Sequence, residues 1–187
     1  RNQKFQTTDG FRSRFTQNLP LISENYSLTN TYNYKFFNTW LKENVATIGV
    51  YASATNSITN KDVKLSDRIN LPSSKLRGFE SGKIGPKDGA DFIGGNYATA
   101  ITVATTLPQI LPSFQSLDFS IFLDVANVWG VDYSSTISDG SAIRSSFGIG
   151  VDYFTPIGPL NFSLTEVISK GSNDITESFR FNLGTTF

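Results

Sequence analysis

The stretch Leu117–Trp129 reads Leu-Asp-Phe-Ser-Ile-Phe-Leu-Asp-Val-Ala-Asn-Val-Trp, with apolar residues at every second position over most of its length. Successive side chains of a β-strand point to opposite sides of its sheet, so this alternation gives a strand one apolar and one mixed face. The apolar face carries Phe119, Ile121, Leu123 and Val125. The mixed face carries Ser120, Phe122, Asp124 and Ala126. The stretch is also long enough to cross a bilayer, for which a tilted strand needs roughly 9–11 residues.

Seven other segments alternate in a similar way, and clusters of Gly, Pro, Asn, Asp and Ser separate them. These segments are 11–19, 26–36, 45–55, 96–107, 143–154, 160–168 and 178–187. A soluble β-sandwich has shorter strands and more Lys and Glu on its outer faces, whereas the second faces here are small, polar or glycine. The sequence therefore predicts an all-β fold, a transmembrane antiparallel β-barrel of which this chain holds about eight strands. A soluble β-sandwich or barrel is the alternative.

The composition also favours a membrane β-barrel. Aromatic residues make up 13% of the chain and charged residues 17%, compared with about 25% charged residues in soluble domains. No run approaches 18 consecutive apolar residues, so the sequence predicts no transmembrane helix. The 16 basic and 16 acidic residues balance to a net charge of zero, which argues against a nucleic-acid partner, because a phosphate-binding face normally leaves a basic excess.

The chain contains no cysteine and no histidine. Their absence excludes the common zinc sites, the Ser-His-Asp and Cys-His nucleophile arrangements, and haem ligation by His or Cys. The sequence therefore predicts a protein that is not an enzyme and that uses neither a metal nor a cofactor. An outer-membrane hydrolase with an Asp-based site is the alternative that composition leaves open.

One connection is much longer than the others. Residues 56–95 are rich in Gly, Pro, Ser, Lys and Asp, and a long stretch of this kind in a compact domain is usually a functional loop or disordered. It contains Leu76-Arg77-Gly78-Phe79 and, soon after, Ile84-Gly85-Pro86. Glycine supplies backbone freedom and proline stiffness, so Gly78, Gly85 and Pro86 would shape the tip of the loop around Phe79 and Ile84. An ordinary surface loop with turn residues is the alternative.

The loop motif and four later segments resemble, in order, the BamA-like outer-membrane assembly factors, which form part of the bacterial surface antigen family. The loop is similar to that family's V/L-R-G-F…I-G-P signature. The later matches are Gly94-Gly95-Asn96, residues 122–129, Thr155-Pro156-Ile157-Gly158-Pro159-Leu160 and residues 179–187. The resemblance covers 76–187 by motif, and 1–75 by strand pattern alone.

This resemblance implies a sixteen-stranded barrel preceded by periplasmic POTRA domains. Residues 1–187 would then be the C-terminal part of the barrel domain, with the first barrel half and the POTRA domains outside this chain. Physical reasoning agrees, because a barrel in lipid must close to satisfy the backbone groups at its edges. An eight-stranded barrel has its interior filled by side chains, so a loop folded inward along 56–95 favours the wider barrel.

Arg77 is the first candidate site residue. The resemblance implies that this arginine reaches into the barrel lumen and pairs with acidic residues of the wall, and strand parity independently places Asp124 on the lumen side. Such a pair would hold the loop in place, and loss of one partner would leave an uncompensated charge. The alternative is that Arg77 and Asp124 are separately solvated in a wet lumen.

The C-terminal strand is the second candidate site. Phe179, Phe181, Leu183 and Phe187 recur along one face, and they resemble the C-terminal signal by which outer-membrane proteins are recognised for assembly, through strand addition at an exposed edge. The resemblance further implies a weak seam between the last and first strands, which Gly184 would loosen. A plain lipid-facing strand end is the alternative.

The resemblance implies a function in folding and inserting client outer-membrane proteins by strand templating at this seam. The implied location is the outer membrane of a Gram-negative bacterium. The implied partners are the lipid bilayer, unfolded outer-membrane clients and accessory assembly lipoproteins. The alternatives are a TamA-like autotransporter assembly factor, a two-partner secretion transporter and a passive pore or structural barrel.

Overall fold

The part of the chain that the structure describes contains ten strands, eight of them in one antiparallel sheet. The computed structural model describes residues 7–20, 26–41, 43–107, 116–137, 142–155 and 158–183. In chain order the strands are β1 (Gly10–Asn18), β2 (Ser27–Leu41), β3 (Asn44–Ser57), β4 (Lys87–Asp88), β5 (Asp91–Phe92), β6 (Tyr97–Thr106), β7 (Leu117–Trp129), β8 (Arg144–Thr155), β9 (Gly158–Ser169) and β10 (Phe179–Leu183). The main sheet runs β1-β2-β3-β6-β7-β8-β9-β10, while β4 and β5 form a separate hairpin. The prediction of about eight antiparallel strands is confirmed.

The strand β2 extends beyond residue 36, where the alternation predicts its end. Phe36 and Phe37 are consecutive aromatics, so the side-chain pattern stops there. Pairing with β3 nevertheless continues to Leu41, which lies opposite Asn44. Backbone hydrogen bonds to a neighbouring strand do not require alternating side chains, and the strand therefore continues past its pattern.

The sheet has one apolar, exposed face, which we call the outer face. The pairing register places one row of exposed apolar side chains across six strands of this face: Phe11, Phe36, Ile48, Val103, Leu123 and Phe147. An exposed apolar band of this extent is what a membrane-spanning sheet presents to lipid. No helix in the described ranges is long and apolar enough to span a bilayer.

The opposite face, which we call the inner face, is mixed in chemistry and is largely covered except along β1, where it is exposed. One register row across it consists of Arg12, Lys35, Gly49, Thr102, Asp124 and Ser146. Residues 58–96, here called the inward segment, lie against this face and include two 3-10 turns, Leu65–Asp67 and Ser73–Lys75. The hydrophobic core lies between the segment and the sheet, and comprises Tyr51, Ile69, Leu71, Leu76, Phe79, Ile84, Ala98, Ala100, Ala126 and Val128.

Candidate functional site

Arg77 and Asp124 form a bidentate ion pair between the inward segment and β7. The Arg77 Nε lies 2.7 Å from Asp124 Oδ2, and Nη2 lies 2.8 Å from Oδ1. The backbone N–H of Arg77 also donates to Oδ2, at 3.1 Å. Asp124 is completely buried, so these three hydrogen bonds take the place of the water that would solvate an exposed carboxylate. Paired charge-assisted hydrogen bonds of this geometry are among the strongest in proteins.

Two further wall residues hold Arg77 in place. The centre of its guanidinium lies 3.3 Å from the centroid of the Phe122 ring, a cation–π contact. The Ser146 hydroxyl donates to the Arg77 carbonyl oxygen at 2.6 Å. Phe122 is the large aromatic on the otherwise small or polar face of β7, and this contact accounts for its position there.

The glycine that follows Arg77 is required by its conformation and by its neighbours. Gly78 has φ +88°, in the left-handed region that L side chains rarely adopt. A Cβ on Gly78 would lie 2.7 Å from Cγ2 of Thr165 on β9. The absence of a side chain therefore lets the motif approach the wall closely, and the next residue, Phe79, is buried in the core.

The second half of the motif, Ile84-Gly85-Pro86, also lies against the inner face. Ile84 belongs to the core and Pro86 is fully buried. Gly85 has φ +95°, and a Cβ on it would lie 3.2 Å from Cβ of Val128. All six predicted motif residues therefore lie in one segment that is packed on the sheet. The functional roles assigned to them stay predictions.

A second ion pair, between Arg144 and Asp174, lies near the Ile84-Gly85-Pro86 part of the motif. Arg144 Nε is 2.7 Å from Asp174 Oδ2, and the two side chains are 2% and 1% exposed. Arg144 Nη1 also donates to Asn127 Oδ1 at 2.6 Å. Asp174 accepts the backbone N–H of Gly85 at 3.3 Å, so this pair supports the segment from the loop between β9 and β10.

The sequence did not predict the Arg144–Asp174 pair, although the strand pattern indicates which face of the sheet Arg144 lies on. Arg144 has the same strand parity as Gly148 and Gly150, which places it on the inner face. Asp174 lies in a loop, where no periodicity reports which way a side chain points. The partner of the buried arginine was therefore not predictable from the pattern alone.

A third pair lies at the end of the sheet where β7 finishes. Arg68, with 1% side-chain exposure, places Nη2 at 2.5 Å from Oδ1 of Asp132, which is 31% exposed. Burial acts to raise the pKa of Asp132, but hydrogen bonds from the Val63 and Asp132 backbone and from the Asn96 and Arg68 side chains outweigh it. The pKa of Asp132 is therefore below its usual value of 3.8.

The inward segment also pairs with the chain that leads into β10. Phe79 and Thr176 form an antiparallel bridge. Three backbone hydrogen bonds accompany it: Glu177 N to Gly78 O at 3.0 Å, Glu80 N to Ile175 O at 2.9 Å, and Ile175 N to Lys83 O at 3.0 Å. The motif is thus held by backbone pairing on one side and by the Arg77–Asp124 ion pair on the other.

The predicted C-terminal strand is described from Phe179 to Leu183. Phe179, Phe181 and Leu183 are exposed on the outer face and pair with Leu164, Phe162 and Leu160 of β9. The rings of Phe181 and Phe162 have centroids 5.0 Å apart. Gly184 and Phe187, also predicted here, lie outside the described residues. No group of three or more potential metal ligands occurs in the described part of the chain.

Comparison with known proteins identifies the family. The Omp85 superfamily domain matches residues 1–187, so the chain belongs to the Omp85 superfamily. The solved structure of BamA from Haemophilus ducreyi lacking POTRA domains 1–3 superposes with a TM-score of 0.84 at 26% identity, covering 96% of this chain and 39% of that one. The sheet is therefore a part of a BamA-like β-barrel, and the predicted fold class is confirmed.

Individual relatives agree with this assignment. The chain is 29% identical over 132 residues to the outer membrane protein assembly factor BamA of Neorickettsia risticii, covering 69% of this chain and 18% of the relative. It is 27% identical over 139 residues to BamA of Neisseria meningitidis serogroup B, with coverages of 60% and 17%. A SAM50-like protein of Schizosaccharomyces pombe is 32% identical over 144 residues, with coverages of 72% and 30%.

The chain thus matches less than a third of the length of each of these three relatives. The resemblance to the BamA-like proteins and the outer-membrane location, both predicted from the sequence, are confirmed. The extent of the whole protein, with its POTRA domains and first barrel half, stays a prediction.

Proposed function

We propose that the chain is the C-terminal barrel part of an outer-membrane protein assembly factor that folds and inserts client β-barrels. The observation that carries this proposal is the position of the inward segment. Residues 58–96 cover the inner face and contribute half of the hydrophobic core, whereas a passive pore needs an inner wall that faces water. The BamA names of two bacterial relatives support the same function.

The proposed mechanism is strand templating at the edge formed by β10. Within the described residues β10 pairs with β9, and in the proposed barrel its other side meets the first strand at a seam. An unpaired backbone N–H or C=O in lipid costs several kcal/mol, so opening of this seam favours the addition of another strand along β10. A client strand would form backbone hydrogen bonds along β10, while its alternate side chains provide specificity.

We further propose that no covalent chemistry, metal or cofactor takes part. The absence of histidine and cysteine from the chain supports this view, and strand addition needs only hydrogen-bond partners and apolar surface. The partners in this proposal are the lipid bilayer, unfolded outer-membrane clients and accessory assembly lipoproteins.

The test is a reconstitution with the protein in its full extent. Liposomes with and without the protein receive an unfolded outer-membrane client, and the folded fraction is followed by heat-modifiable gel mobility and protease protection. We expect the protein to accelerate client folding. Steady ion conductance with no acceleration would instead indicate a passive pore, and acceleration restricted to autotransporter clients would indicate a TamA-like factor.

Cross-linking tests the mechanism separately. The chain has no cysteine, so no thiol of this part of the protein competes with an introduced cysteine pair that joins β10 to the strand beside it in the closed barrel. We expect the oxidised form to lose client insertion and the reduced form to recover it. Equal insertion by both forms would contradict templating at this edge.

A further inference from the structure

Arg180 of strand β10 donates to three acceptors, two of which lie in the inward segment. Its Nη1 donates to the Ser73 carbonyl oxygen at 2.6 Å, and its Nη2 donates to the Phe79 carbonyl oxygen. Its Nε donates to the carboxylate of Glu177. The planar guanidinium presents its donors in a fixed fork, so a single side chain joins two points of the segment to the chain that precedes β10.

The two carbonyls lie on either side of the motif arginine. Ser73 precedes Arg77 in the chain and Phe79 follows it. Arg77 binds the motif to β7, in the middle of the sheet, while Arg180 binds the same motif from the edge. The Arg180 side chain is 10% exposed, and hydrogen bonds to a charged group in such surroundings contribute more than those in water.

The described part of β10 comprises the 5 residues Phe179–Leu183. It pairs with β9 alone, from Phe179 opposite Leu164 to Leu183 opposite Leu160. Its outer-face side chains are exposed. The contacts of Arg180 with the segment therefore add a second attachment to the pairing of the described part of β10 with β9.

We propose that Arg180 is a positioning residue that makes β10 and the inward segment move as one unit. A template strand has to stay fixed while a second strand pairs with it, since each backbone hydrogen bond needs its partner in register. Arg180 thus keeps β10 in register for a client. This consequence rests on the proposed function, whereas the coupling itself is a property of the structure.

Hydrogen exchange measures the coupling directly. In the full protein we expect Arg180→Gln to speed exchange of the Glu80 and Glu177 amides, and of the β10 amides bonded to β9, by about tenfold. The amides of β6 and β7 should be unchanged. Arg180→Lys keeps the charge but lacks the fork, so we expect it to restore only part of the protection.

A matched control uses another arginine of the sheet. Arg14 is exposed on β1, and we expect Arg14→Gln to leave the exchange of Glu80 and Glu177 unchanged. If Arg180→Gln leaves these amides at their original rates, the coupling does not exist. If it speeds exchange equally throughout the sheet, Arg180 contributes to overall stability only, and the proposal is wrong in that case too.

Client insertion separates this inference from the proposed function. Where the unaltered protein accelerates client folding, we expect Arg180→Gln to lower the rate severalfold while the barrel itself keeps its heat-modifiable folded form. An unchanged rate alongside faster local exchange would overturn the role of Arg180 in templating. If the unaltered protein accelerates no client, the proposed function fails, and the exchange experiment still decides whether Arg180 couples strand and segment.

Discussion

Leu123 and Asp124 are adjacent in the chain and have opposite surroundings. Leu123 is 41% exposed, whereas Asp124 is completely buried. In a water-soluble domain an exposed aspartate and a buried leucine would be the usual outcome. The difference shows that the two faces of β7 meet different media, lipid outside and the inward segment inside. The outer face therefore accommodates exposed apolar side chains, and the inner face accommodates a buried carboxylate that is paired with an arginine.

The largest effect is expected on the inner face. Asp124→Ala leaves the Arg77 guanidinium without its carboxylate, and breaking a buried ion pair in this way costs about 3–5 kcal/mol. We expect the inward segment to become sensitive to protease, as measured by limited proteolysis of the membrane-embedded protein. The double variant Asp124→Ala/Arg77→Met removes both charges and should recover much of the protection; no recovery would mean that the loss comes from the missing contacts of the pair and not from an unpaired arginine.

The next largest effect is expected on the outer face. An arginine facing lipid at the middle of a barrel strand costs about 2–4 kcal/mol, and Leu123 is the central residue of β7. We expect Leu123→Arg to lower the denaturant midpoint of unfolding in lipid vesicles. Leu65, exposed in the inward segment, provides the control, since Leu65→Arg should change stability by no more than about 0.5 kcal/mol. Equal effects would mean that both leucines face the same medium.

A smaller effect tests the close approach of the two regions. Gly78→Ala imposes an unfavourable φ, at a cost of about 1 kcal/mol, and adds an overlap with Thr165. Gly82 has φ +70°, and a Cβ on it would have no neighbour within 4 Å, so Gly82→Ala imposes the φ cost alone. We expect thermal unfolding to show the greater loss for Gly78→Ala. Equal losses of thermal stability would show that the Thr165 side chain moves aside at little cost in free energy.

The smallest effect is expected at the end of the sheet, where Asp132 is partly exposed. Because the pKa of Asp132 is lower in the folded protein than its usual 3.8, the hydrogen bonds that its carboxylate accepts, from the Val63 backbone first and also from Asn96 and Arg68, stabilise the fold above pH 3.8. That contribution disappears as the pH falls through the lowered folded-state pKa. We expect fluorescence of nearby Trp129, followed in a Trp40→Phe background, to change in this acid range. Asp132→Asn should abolish the change; its persistence would point to another group.

The architecture was predictable from the sequence because the side chains of a membrane strand alternate between residues suited to lipid and residues suited to the barrel interior. The alternation predicted all eight strands of the main sheet, and for β7 it also predicted the first and last residues. It failed at the end of β2, where pairing with β3 continues after two successive phenylalanines. A side-chain pattern reports the environment of a strand, whereas the neighbouring backbone decides where that strand stops.

The site was predictable only where strand parity and the family resemblance each supplied one of the two partners. Strand parity placed Asp124 on the inner face, and the family resemblance supplied Arg77 as its partner. Arg144 has equally clear parity, but its partner Asp174 lies in a loop. Arg180 has inner-face parity as well, yet two of its acceptors are backbone carbonyls, which every residue possesses. Contacts of this kind depend on three-dimensional proximity that no local pattern encodes.

The order of strands in the sheet has a consequence for how the chain folds. Every neighbouring pair except β3 and β6 is consecutive in sequence, so most pairings require closure of only a short connection. The pairing of β3 with β6 must close the whole inward segment, and the entropic cost of closure rises by about 0.6 kcal/mol with each doubling of loop length. We therefore expect two blocks of hairpins, β1 to β3 and β6 to β10, to form first. Their joining would then be the slow step, because the segment has to be enclosed as the blocks meet.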